Sequence, residues 1–129
     1  MKIYFADTNV FLRFLLKDNP ILAKEAEAYF LRAKAGKIKI IILSEILLEM
    51  EYVLRKVYTQ SRSEITKKMT ALVTSAYFEV ADGNLWGAVL EDYWQKSVDL
   101  VDIFLFQKAQ AVGGEVLSFD RDFKKLLKK

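Results

Sequence analysis

The chain has 129 residues, 53% of them apolar, with 20 Lys and Arg against 17 Asp and Glu, a net charge of +3. That size and content predict a single globular domain over residues 1–129, with a substantial core rather than disorder. There is no Cys and no His, which excludes disulfides and thiolate zinc sites and removes the commonest general base, so hydrolytic chemistry must lean on carboxylates.

The apolar opening is cut short by Asp7, and no apolar run approaches the roughly 20 residues of a membrane span. A soluble, cytoplasmic protein with no membrane partner is therefore expected. The mild basic excess favours an acidic partner such as nucleic acid.

Lys2-Ile3-Tyr4-Phe5-Ala6 reads as a strand that runs straight into Asp7-Thr8-Asn9. Its lack of alternation suits the middle of a parallel sheet covered on both faces. In such sheets ligands bind at the carboxyl ends of the strands, which is where Asp7 stands. Taken alone, the segment favours a helix cap by Asp7 or Asn9. Three later segments with acids in similar positions turn the balance toward a metal ligand.

An apolar helix over Val10–Lys17 ends at Asp18-Asn19-Pro20, and Asn19 then caps an Ala-rich helix that starts with Pro20 and stops at Gly36. Lys37–Leu43 is the second strand, rich in β-branched residues. A helix from Ser44, its expected N-cap, runs to about Tyr58. On it Ile46, Leu47, Met50, Val53, Leu54 and Val57 share an apolar arc, with Glu51 and Arg55 opposite as an i,i+4 pair. Glu49 falls at the edge of that arc. A rim acid on an amphipathic helix is its plain explanation, and a metal ligand the functional one.

Ser61–Glu64 opens a fourth helix, Ala76–Val80 is a third strand, and Asp82-Gly83-Asn84 is turn chemistry before a helix carrying Trp86 and Trp94 as core or interface anchors. Asp99 then starts a helix as a cap, with Asp102 in its first turn. Asp102 shares a face with Leu105, Phe106, Ala109 and Val112, a costly place for a carboxylate unless a cation or a salt bridge meets it. After Gly113-Gly114, Glu115–Phe119 is the expected last strand. Asp120-Arg121-Asp122 begins a final helix whose basic end, Lys124 to Lys129, either complements the helix dipole or contacts phosphates.

Strands separated by helices predict a doubly wound α/β sheet, because parallel strands need helical crossovers. Its junctions open on one edge, so Asp7, Glu49, Asp102 and Asp120 would converge there. Unneutralised, they would raise one another's pKa values. A hard divalent cation, Mg²⁺ or Mn²⁺, resolves the conflict, and such a site can activate water against a phosphodiester without His. Asp7, Glu49 and Asp102 would be the principal ligands, with Asp120 and Asp122 outside them. Thr8, Asn9, Ser118 and Asp99 would supply supporting hydrogen bonds.

These segments, Asp7-Thr8-Asn9, Ser44–Leu54 with Glu49, Val98–Asp102, and Ser118–Phe123 with Asp120, resemble in order and spacing the four acidic motifs of the PIN-domain ribonucleases, most closely the VapC-type toxins of toxin–antitoxin pairs. The resemblance implies a three-layer α/β/α fold with a central parallel sheet of four or five strands. It further implies a Mg²⁺- or Mn²⁺-dependent endoribonuclease acting on RNA, often a homodimer, inhibited by a VapB-like antitoxin protein. Asp7, Glu49, Asp102 and Asp120 match the family's positions. Ile103-Phe104 departs from it, being bulky where smaller residues are frequent, and Glu45 is an alternative ligand one turn before Glu49. Two rivals stand beside this reading. One is a phosphotransferase using Asp7 as nucleophile, weakened by Asn9 in place of a second Asp; the other is a catalytically silent module that binds RNA or protein.

Overall fold

The computed structural model describes residues 1–127, so Lys128 and Lys129 of the basic end lie outside the described residues. In chain order the elements are β1 (Lys2–Phe5), α1 (Thr8–Leu16), α2 (Pro20–Lys34), β2 (Ile38–Ile42), α3 (Ser44–Lys56), α4 (Arg62–Val73), β3 (Glu79–Val80), α5 (Gly83–Gln95), α6 (Leu100–Ala111) and α7 (Phe123–Leu127). The parallel α/β class expected from the crossovers is what forms: β1 pairs with β2, and β2 with the two-residue β3, all in parallel.

Local chemistry sets the helix starts. Asn19 accepts a hydrogen bond from the Leu22 amide at 3.2 Å with Pro20 at the first helical position. Ser61 and Glu64 form a reciprocal capping box at the start of α4. Ser44 is not the N-cap of α3. Leu43 holds that position, and Ser44, already helical, is buried with its hydroxyl turned away to a neighbouring junction.

One face of the sheet is thoroughly covered. Ile38, Ile40 and Ile42 are buried there, and Phe11 and Phe30, from α1 and α2, stack at 5.9 Å with Phe78 edge-on to both. The opposite side of β1 is open. Ile3 and Phe5 are more than half exposed, and β1 is an edge strand rather than the expected middle one.

The sheet therefore has three strands among the described residues, not four or five. Glu115–Phe119 has no strand structure, and Leu117 and Phe119 are almost fully exposed. An apolar run satisfies strand propensity, but a strand exists only with a paired neighbour, and this segment has none.

The core seam of α3 also differs from the expected arc. Leu47, Met50, Glu51 and Leu54 are buried at spacings of three and four, whereas Val57 is exposed. Glu51 thus faces inward, not away from the core. Its carboxylate accepts from the Tyr93 hydroxyl at 2.7 Å and from Arg55 Nε at 2.8 Å, which makes its burial tolerable. Of the two expected Trp anchors, Trp86 is buried and stacked on Phe104 at 5.1 Å, while Trp94 is exposed. The bulk of Ile103-Phe104 is thereby accounted for by packing, since Ile103 is buried as well.

Candidate metal centre

Each strand hands the chain to a helix through a short junction, and each junction carries an acid or a hydroxyl. At the first, Asp7 has extended backbone at the N-cap position of α1, yet its side chain makes no capping hydrogen bond. The carboxylate is exposed and uncommitted. Next to it Thr8 is buried, and its Oγ1 has no hydrogen-bond partner, an arrangement that normally costs free energy and asks for a reason. Asn9 is exposed.

At the second junction Glu45 and Glu49 both lie on the exposed side of α3. At the third stands Asp82, an acid in the turn before α5. Asp82 adopts a left-handed backbone with φ 55°. It accepts from Lys108 Nζ at 2.6 Å and from Ser44 Oγ at 2.9 Å, and Ser44 in turn accepts from Trp86 Nε1 at 3.0 Å. Lys108, then Ser44, holds the Asp82 carboxyl below its ordinary pKa. Its place after a strand is the same signal that marked Asp7, but a lysine has already neutralised it.

The acids that meet come from α6 and the segment before α7. Asp99 occupies the N-cap position of α6 without a side-chain cap, and Asp102 follows in the first turn, partly buried. Ser118 Oγ accepts from the Asp120 amide and Asp120 Oδ1 accepts from the Asp122 amide, each at 2.9 Å, which folds the chain back on itself. Carboxylate oxygens of Asp102, Asp120 and Asp122 all lie within 4.8 Å of one another. Asp102 is consequently raised in pKa, by burial first and then by the charges of Asp99, Asp120 and Asp122.

Asp102 and Asp120, separated by a whole helix, are thus brought together. Asp122, expected as an outer contributor, joins them directly, while Lys125 pairs with it at 3.3 Å. Asp7 and Glu49 do not belong to this trio.

The donor set fits a hard divalent cation. It is all carboxylate oxygen, and it carries mutual repulsion that a cation would relieve.

Neither the search of curated proteins nor that of solved structures returned a match. The PIN domain family model, however, matches residues 4–129. A parallel α/β sheet feeding acids to its helix starts, with the match running over nearly the whole chain, makes this protein a member of the PIN domain family.

Proposed function

We propose that this chain is a Mg²⁺- or Mn²⁺-dependent endoribonuclease, hydrolysing RNA phosphodiester bonds as the toxin of a VapBC-type pair. In that setting it works in the cytoplasm as a homodimer under the control of a VapB-like antitoxin. The observation that carries the catalytic part is the convergence of Asp102, Asp120 and Asp122 in a PIN domain chain without His. The toxin assignment rests on the ordered likeness of the four acidic motifs to that group.

A divalent cation bound here supplies polarisation of the phosphodiester and of water. The chain's own residues do the positioning. Asp102, Asp120 and Asp122 would hold the cation, and Asp7 and Glu49 would add further carboxylates to it. Ser118 and the Asp120 turn hold the C-terminal acids in register. Asp99 keeps an uncapped carboxylate one turn from Asp102, and Thr8 and Asn9 would support Asp7 with hydrogen bonds once it is engaged with the cation.

The test is cleavage of RNA in Mn²⁺ buffer. EDTA is expected to abolish it, and Asp7→Asn or Asp102→Asn to lower it by more than about 100-fold, beyond the range typical of outer partners. RNA bound but left intact under every divalent metal would replace this reading with that of a silent PIN-fold module, which the absence of Asp7 and Glu49 from the trio favours. Growth arrest on expression, rescued by a small co-expressed partner, tests the toxin role; harmless expression of an active nuclease removes it.

A further inference from the structure

Arg62, the first residue of α4, lies outside the acid trio but grips the turn that leads to it. Its Nη1 donates to the carbonyl oxygens of Tyr93 at 2.8 Å and Lys96 at 3.0 Å, and its Nη2 to that of Val98 at 2.7 Å. Its Cζ sits 4.1 Å from the centroid of the Tyr93 ring. Tyr93 and Lys96 belong to the carboxyl-terminal end of α5, where carbonyls lack helical partners and a cation suits the dipole.

The third contact has a different consequence. Val98 is buried, and its carbonyl belongs to the peptide that enters Asp99, the residue whose own carbonyl accepts the Ile103 amide at 3.0 Å as α6 begins. Fixing that peptide plane fixes the origin of α6, hence the directions of Asp99 and Asp102. From the other side, Lys125 of α7, which pairs with Asp122, reaches the Ser97 carbonyl of the same turn at 3.5 Å. The turn over residues 96–98 is therefore where α4, α5, α6 and α7 are tied together.

We propose that Arg62, seated on the Tyr93 ring, is a positioning residue of the metal centre, holding the turn over residues 96–98 so that Asp99 and Asp102 face the cation. This rests on the metal-dependent reading above. The extended guanidinium is required, because a lysine ammonium is a point charge that cannot span three carbonyls while sitting over a ring.

The full chain is titrated with Mn²⁺ by calorimetry, at a temperature where far-UV circular dichroism shows wild type, Arg62→Lys and Tyr93→Phe all folded. Tyr93→Phe keeps the ring under Arg62 but removes the hydroxyl bonded to Glu51, so it lowers stability without releasing the turn. Arg62→Lys is expected to weaken Mn²⁺ binding about 10–100-fold, and to speed amide hydrogen exchange at residues 98–103 in metal-free protein. Tyr93→Phe is expected to lower Tm yet leave Mn²⁺ affinity within about threefold, well short of that loss. Wild-type affinity in Arg62→Lys overturns the proposal alone, as does an equal loss in Tyr93→Phe, which would mean that affinity follows stability. A wild-type chain that binds no Mn²⁺ overturns the metal reading, and this inference with it.

Discussion

Thr8 pays for burial without a hydrogen bond, and the side chain beside it is the uncapped Asp7. If folding were its only purpose, valine, of the same shape, would serve better. Thr8→Val is expected to leave Tm unchanged or raise stability by about 1 kcal/mol, since an unsatisfied hydroxyl is removed. Under the proposed role of Thr8 as a supporting oxygen for Asp7, Mn²⁺ affinity is expected to fall about tenfold. Parallel melting curves and Mn²⁺ titrations check the two halves; unchanged affinity would assign the hydroxyl to the core alone. Single residues were unevenly legible in the sequence. Asp102 could be singled out because a carboxylate on an apolar face needs a partner, and Asp120 because, like Asp7, it follows an apolar run, although that run forms no strand. Glu51 could not, because its i,i+4 pairing with Arg55 is also the pattern of a solvated helix face, and its buried partner Tyr93 is contributed by a different helix. Asp82 was legible as an acid at a junction, but nothing in its neighbourhood of sequence announced Lys108.

Helices were more readable than strands because their stop and start chemistry is local. The α4 start shows this: Ser61 accepts from the Glu64 amide at 3.2 Å, and the Glu64 carboxylate accepts from the Ser61 amide at 3.0 Å. Ser61→Ala is expected to cost about 1 kcal/mol, read as a lower urea midpoint with an unchanged slope. Glu115–Phe119 is the counter-example. Its residues favour extended backbone, but membership of a sheet is decided by a distant neighbour that no local pattern contains. The buried face of α3 failed for a related reason. Periodicity places apolar residues on an arc, yet the seam shifted toward Glu51 because a tyrosine and an arginine satisfy its carboxylate. Burial first, then the Glu51 hydrogen bond, raises the Tyr93 pKa well above its ordinary value, so the hydroxyl stays a neutral donor.

Across the molecule, acid sensitivity should be concentrated where strand ends are tied by charge. Asp82 is held below its ordinary value of 3.8 by Lys108 and Ser44. A carboxyl with a lowered folded-state pKa contributes stability that is fully present above 3.8 and is lost as pH falls through the still lower folded value. Lys108→Met should therefore lower Tm at neutral pH and lose less on acidification than the wild type does, so the two curves of Tm against pH converge at the acid end. Curves that stay parallel would show that the pair contributes nothing to folding. The parallel topology that puts Asp82, Ser44 and Asp7 at strand-to-helix junctions was legible from strand and helix alternation alone. The convergence of the last acids was not, since it depends on how α6 and the turn before α7 fold back.

That fold-back has a consequence for the nascent chain. The three strands found among the described residues are all made once Val80 has been added, well before the segment after α6. The trio, however, draws Asp120 and Asp122 from beyond α6. Because a domain folds as a unit during synthesis, the acid cluster that would hold a cation is assembled only after the segment beyond α6 has been made.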